Sequence, residues 1–270
     1  MLNLPRIAAG LALSLLIGAA AYRRGSLTRG GWLGAVITGT STFGFGGWSW
    51  GLTLIAFFVS SSLLSHFRQS YKQRVVGEKF EKGGRRDLWQ ALANGGVGGL
   101  LALLYALGGE PPLLLAAFAG VMATVNADTW ATELGVLNRR PPRLITTLRP
   151  VPPGTSGGVS PLGLLATLAG AALVGAVLSG VLLAERGLWQ PGLLLAALLG
   201  GLAGSLSDSL LGATLQALYR TASGEETERA HDRSGAPNQP LRGLAWMNND
   251  LVNLISSLVG GLVAAAVFLI

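Results

Sequence analysis

The stretch Asn126–Gly135, NADTWATELG, closes an apolar run that begins near residue 111. That run is long enough for the ~20 residues of a membrane helix. Its last part carries Asp128, with Glu133 five residues later. A carboxylate at span depth costs about 2.5–3.5 kcal/mol on insertion scales, so an acid kept there argues for a use. Five residues on an unbroken helix set the two acids about 140° apart. They share a ligand only if the span ends or unwinds near Trp130. Otherwise Glu133 is an interfacial acid near Arg139 or Arg140.

The rest of the composition agrees with a membrane chain. Half of the 270 residues are apolar and 12% are charged, about half the charged share of an ordinary soluble domain at about 25%. The 40 glycines follow no Gly-X-Y period, which excludes collagen and leaves close packing of helices. Without cysteine, disulfides and thiolate metal sites are excluded. Eight apolar segments stand out, at about 7–22, 31–45, 48–67, 89–107, 111–135, 160–184, 191–219 and 244–269. The expectation is an all-α polytopic bundle of seven or eight spans, one integral membrane domain over residues 1–270. The first segment, closed by Tyr22-Arg23-Arg24 with no small-residue cleavage site before it, reads as a retained span. The second is short and rich in Gly, Thr and Ser, as in a tilted, broken or re-entrant segment.

Charge sets the orientation. The loops at 23–29, 68–86, 136–159 and 220–243 hold 18 of the 20 basic residues. Eight crossings put all four loops on one side, leaving Arg6 and Arg186 on the other, and the positive-inside rule assigns the basic side to the cytosol. The net charge of +7 then reports topology and an anionic membrane surface rather than a nucleic acid partner. The expected location is the plasma membrane of a prokaryote or an equivalent membrane.

Four polar stretches converge on that side. Asn126, Asp128, Thr129 and Glu133 end the fifth segment. Gly154-Thr155-Ser156-Gly157-Gly158 precedes the sixth, and successive N–H groups in such a loop can make an anion nest, although it is no Walker A sequence. Ser205, Asp208, Gly212 and Gln216 form a stripe on one helix face, flanked by Ser209. Asn249, Asp250, Asn253 and Ser257 open the eighth segment, with Asp250, Asn253 and Ser257 on one face. Three acids, Asp128, Asp208 and Asp250, near one membrane face would raise one another's pKa unless a cation joined them. Oxygen donors without cysteine fit Mg²⁺, which bridges substrate phosphates. His66 and His231 lack ligand-spaced partners. The loop around 224–239 reads as solvated and placed to cover the site. A weak repeat aligns Gly120–Asp128 with Gly200–Asp208.

In order, NADTWATELG, GTSGGVSPLG, GSLSDSLLGATLQ and NNDLVNLISS, with WSWGLTLIAFFVSSSLLSHFR at 48–68, resemble the membrane family catalogued as domain of unknown function ninety-two. That family includes the chloroplast phytyl-phosphate kinase of vitamin E (tocopherol) synthesis. The resemblance implies phosphoryl transfer from a nucleoside triphosphate, CTP first, to an isoprenyl (phytyl) monophosphate, giving the diphosphate. Asp128, Asp208 and Asp250 would be the catalytic, metal-holding acids, with the remaining polar residues binding substrate and nucleotide. An ion-coupled transporter or lipid-phosphate carrier is the alternative from the residues alone, and a scaffold role the third.

Overall fold

The computed structural model describes residues 3–76, 79, 84–232 and 234–270. Lys82 and Arg233 of the basic loops lie outside the described residues. The described chain is mainly helical: α1 (Leu4–Arg23), α2 (Arg29–Gly46), α3 (Trp48–His66), α4 (Gln69–Val76), α5 (Leu88–Leu107), α6 (Pro112–Gly135), α7 (Pro161–Arg186), α8 (Pro191–Thr214) and α9 (Asn249–Phe268). Short strands β1 (Arg143–Leu144) and β2 (Gly158–Val159) pair antiparallel. Strands β3 (Leu218–Arg220), β4 (Glu226–Thr227) and β5 (Gln239–Arg242) form a sheet in the order β4-β3-β5.

Seven helices are long and apolar enough to cross a membrane; α2 is not among them. It is nevertheless one unbroken helix, ended at Gly47, whose φ of 89° turns the chain into α3. Arg6, near the start of α1, donates to Gly44 O and Phe45 O at the end of α2, so these two helices are antiparallel. Helices α2 and α5 run parallel. A Cβ on Gly34, Gly95 or Gly99 would press on Ala91, Thr38 or Ser41 respectively, so the two backbones approach closely along their length.

Four helices start with side-chain caps at one end of the bundle. Thr28, Asp87, Ser160 and Asn248 accept from the backbone N–H groups of Gly31, Gln90, Gly163 and Leu251 at the starts of α2, α5, α7 and α9. Each satisfies an orphan donor of a first turn. The basic loops meet at this end. Thr28 N donates to Arg86 O, Lys79 Nζ to Pro153 O, and Glu228 N to Lys79 O. At the far end Arg186 pairs with Glu110, and Trp50 stacks on Phe118 at 4.0 Å with Tyr105 at 4.9 Å. These rings join Leu115, Met122, Leu178 and Leu193 in an apolar core.

The boundaries of two segments differ from the sequence reading. The seventh ends at Thr214 rather than 219, because Ala217 donates to Met247 O and the chain leaves to form β3. The eighth begins at Asn249 rather than 244, because Asn248 caps it and the apolar letters before it belong to the return from β5. Short α4 and the three-stranded sheet were not expected, since both are too brief and too charged to show a hydrophobic period.

Candidate functional site

Helices α6, α8 and α9 cross where Gly120, Gly200 and Gly260 meet. A Cβ on Gly120 or Gly200 would overlap or crowd the same Gly260 carbonyl and the Ala264 methyl. Thr124 Oγ donates to Gly120 O at 2.9 Å and Gly200 O at 3.2 Å, closing the seam. Asp128 and Asp208 each lie eight residues beyond the equivalent glycine, about two turns. The weak repeat in the sequence therefore has a physical content: two helices of the same direction rest on α9 in the same way and carry their acids to the same level.

Both acids line one cavity of about 750 Å³ at the capped end. Its α6 wall is Thr124, Asp128, Thr129 and Glu133, and its α8 wall is Ser205, Asp208, Ser209 and Gly212. Gln216 also lines it, although it lies past the end of α8 rather than on the helical stripe. Ser256 Oγ donates to Asp208 at 3.2 Å. Among the described residues neither aspartate forms an ion pair and Asp128 accepts no hydrogen bond.

The glycine loop, Gly154 to Gly158, also lines the cavity along its whole length. Gly157 has φ +83°, and a Cβ there would run into the backbone of Ala213 at the end of α8. Only glycine lets the loop lie this close. Thr155 N and Gly158 N close turns within the loop, onto Pro152 O and Thr155 O, whereas Ser156 N and Gly157 N bond to nothing among the described residues. The Thr155 hydroxyl is buried without a partner. Free donors beside an orphaned hydroxyl suit an anion.

The α9 wall is turned from the expected face by one residue. Asn249, Asn253 and Ser256 line the cavity, while Ser257 Oγ donates to Leu254 O. Asp250 is not in the wall; it sits half-buried in the first turn of α9, where an acid suits the helix dipole. Asn126 is not in the wall either. Its amide bridges three helices, accepting from Ser60 and Ser61 and donating to Gly170 O at 2.8 Å. Of the three expected aspartates, Asp128 and Asp208 line the cavity and Asp250 does not. No group of three or more His, Asp or Glu among the described residues is placed to hold a metal ion.

Helix α6 does not unwind at Trp130, and Glu133 finds its partner in Lys72 of α4, not in Arg139 or Arg140. Lys72 also donates to Leu64 O at 2.6 Å and Ser65 O at 3.2 Å, capping α3, and Ser65 Oγ donates to Glu133. Charged cavity residues that escaped the sequence reading include Lys72, Arg86 and Glu228. Lys72 and Arg86 were visible only as loop charges. Glu228 comes from the segment read as solvated, and it accepts from Ser156 Oγ at 3.0 Å and Gln216 Nε2 at 2.9 Å. Burial pulls the pKa of Arg86, Lys79 and Arg242 below their ordinary values, against the opposing pull of nearby glutamates.

No solved structure matches the chain. It is 34% identical to Protein PGR of Arabidopsis thaliana over 94% of this chain and 93% of that protein. It is 31% identical to an uncharacterized membrane protein of Methanocaldococcus jannaschii over 88% of this chain and 84% of that one. Protein VTE6, chloroplastic, of Arabidopsis thaliana is 28% identical over 88% of this chain and 64% of its own length. The model of the integral membrane protein family DUF92 matches residues 12–261, the polar wall included, and the chain belongs to that family.

Proposed function

We propose that the cavity transfers a phosphoryl group from a nucleoside triphosphate, CTP first, to an isoprenyl monophosphate such as phytyl phosphate. One observation carries the reading: two carboxylates without ion-pair partners and a glycine loop with unbonded N–H groups line one polar cavity. Its volume of about 750 Å³ is in the range of small-molecule sites. An oxygen of the acceptor phosphate attacks the γ-phosphorus. A P–O bond forms there, the bond to the β–γ bridging oxygen breaks, and its electron pair leaves with the nucleoside diphosphate. The acceptor is already anionic, so no general base is needed, and positioning and charge neutralisation supply the rate.

Oxygen donors from two facing helices fit Mg²⁺, which takes one or two carboxylates and completes its shell with phosphate and water. Asp128 and Asp208 would hold it, and when bound it supplies charge neutralisation along the nucleotide phosphates. Ser156 N, Gly157 N and the Thr155 hydroxyl bind phosphate oxygens from the glycine loop. The similarity to Protein VTE6 and the resemblance of the four motifs support the substrate class.

The test is purified protein with labelled CTP, ATP and GTP against a panel of isoprenyl monophosphates, resolved by lipid chromatography. A labelled isoprenyl diphosphate is expected, and its absence from every pairing overturns the reading. An ion-coupled carrier needs a polar path through the bundle. Below Thr124, Thr167 and Ser205 the described core is instead Trp50, Phe118, Met122 and Leu178. We further propose that the capped, basic end faces the cytosol. Cysteines replacing Arg74, Arg143 and Arg229 should then react with an impermeant thiol reagent from the inner side alone, and one at Gly109 from the outer side. Labelling of 74 and 143 from opposite faces excludes the arrangement.

A further inference from the structure

A second, apolar cavity of about 90 Å³ lies among α1, α2, α3 and α5. Three of its lining residues, Arg86, Gln90 and Asn94, also line the polar cavity. The two spaces therefore share one polar threshold. Beyond it the second cavity is hydrocarbon and small side chains, with Leu13, Ile17, Leu54 and Phe58 among its walls.

The threshold is equipped for an anion. The Arg86 backbone is fixed on both sides, its N–H donating to Ser26 O and its carbonyl accepting from Thr28 N, each at 3.0 Å. Its guanidinium lies 5.7 Å and 5.5 Å from the ring centres of Phe57 and Phe58 and donates to Ser62 Oγ at 3.0 Å. Among the described residues it forms no ion pair. A guanidinium has five N–H donors and keeps its charge at any physiological pH, so most of its donor capacity is unspent.

The far side of the cavity is bordered by half-buried apolar residues of α1 and α3. Helix α1 leans on α2, where a Cβ on Gly39 would overlap Ser14 Oγ. Leu13 and Ile17 of α1 and Leu54, Ile55 and Phe58 of α3 stay half-buried around the space. Its volume is below the ~150 Å³ of an engineered cavity that takes one benzene. That is room for the first carbons of a chain and no more.

We propose that this cavity binds the head-proximal isoprene carbons of the acceptor lipid, its phosphate held at Arg86 and turned into the polar cavity. The assignment rests on the phosphotransfer reading and adds to it the lipid's place and direction. The acceptor enters from the α1–α3 side, opposite the α6–α9 wall that carries the two aspartates. Charge complementarity at Arg86 and the lining residues that the two cavities share select an anionic lipid head with an apolar tail.

The test is photolabelling of the whole protein in nanodiscs with a C20 isoprenyl monophosphate carrying a diazirine on its first isoprene unit. Labelled peptides are mapped by mass spectrometry. Label competed by unmodified isoprenyl monophosphate is expected on 10–18 and 51–58, and the isoprenol without phosphate should compete at least tenfold more weakly. Leu54→Trp, which fills the cavity, should lower that competed label at least tenfold with an unchanged melting temperature. Arg86→Gln should abolish the preference for the monophosphate over the alcohol. Competed label confined to α6–α9 overturns this lipid site and leaves phosphotransfer standing. Label that no monophosphate competes overturns both, the lipid site and the acceptor class on which it rests.

Discussion

The two sides of the bundle are built with the same small residues and to opposite effect. On the α6–α9 side, glycines bring three backbones into contact at Gly120, Gly200 and Gly260, and α6 is buried along most of its length. On the α1–α3 side, glycines draw α1 onto α2 and away from α3, and α1 exposes most of its surface. Lipid tails are as apolar as leucine, so packing rather than a hydrophobic drive holds membrane helices together. Where packing is tight, carboxylates can be fixed at depth. Where it is loose, half-buried apolar side chains border the space. The polar cavity is built on the tight side and shares with the loose side only Arg86, Gln90 and Asn94.

The largest expected effect lies on the tight side. Asp128→Asn and Asp208→Asn keep shape and remove charge. Turnover should fall at least ~100-fold in each, about 2.7 kcal/mol of transition-state stabilisation. Melting temperature should hold or rise, since a neutral amide is cheaper in the membrane than a carboxylate. Turnover and melting measured on the same purified variants separate the roles. Lower melting with full turnover per folded molecule would make the two acids packing groups.

Next comes the crossing itself. A Cβ at Gly260 would overlap Thr124 Oγ and crowd Gly200 O. Thr124 can turn away, but the Gly200 backbone cannot. Gly260→Ala should therefore destabilise by about 1–3 kcal/mol, the usual cost of overpacking. Gly96→Ala on α5 meets open space and should be neutral or slightly stabilising through helix propensity. Equal melting of the two variants would deny that the wall depends on this contact.

How much of this could be read from the chain follows from the same contrast. Spans, their directions and the meeting of the polar stretches at one end were legible, because apolar length and loop charge are local sums. Asp128, Asp208 and the glycine loop were legible because acid or a glycine cluster is costly or unusual beside a span. Rotation of a helix end was not. The α9 face depends on how Gly260 seats against α6 and α8, and one residue of turn moves Ser256 in and Asp250 out. Lys72 and Glu228 were hidden for a different reason: their sequence surroundings are charged and their burial comes from contacts 61 and 72 residues away.

Lys72, which lines the polar cavity, offers an effect of middle size. Its pair with Glu133 is mostly buried, with side chains 10% and 21% exposed. Lys72→Met leaves Glu133 without its cation and α3 without two of its C-terminal bonds. That should cost roughly 1–3 kcal/mol, between surface and fully buried pairs. Glu133→Gln should cost less, because Lys72 keeps Leu64 O and Ser65 O. Melting curves of the two single variants and the double variant give the coupling. A Glu133→Gln loss as large as that of Lys72→Met would mean that the carboxylate, not the helix cap, carries the stability of α4.

The smallest effect is expected at Asp250, and it separates what charge near a site does from what charge in a site does. Asp250 has the same side chain as Asp128 and Asp208, and sequence alone ranks the three together. The structure puts it in the first turn of α9, off the cavity wall, with Asn249 and Asn253 lining the space instead. An acid in that turn suits the helix N-terminus, an interaction worth about 0.3–1 kcal/mol at the surface and up to about 2 kcal/mol when partly buried. Asp250→Asn should therefore lower the melting temperature slightly and reduce turnover less than about threefold, under 1 kcal/mol of barrier. Set beside Asp208→Asn, the ratio of the two turnovers should be at least ~30. If Asp250→Asn instead loses as much turnover as Asp208→Asn, with its melting unchanged, α9 must rotate by one residue when substrate binds. The face bearing Asp250, Asn253 and Ser257 would then be the working one, and the tight side would be rigid only at the Gly120–Gly200–Gly260 crossing.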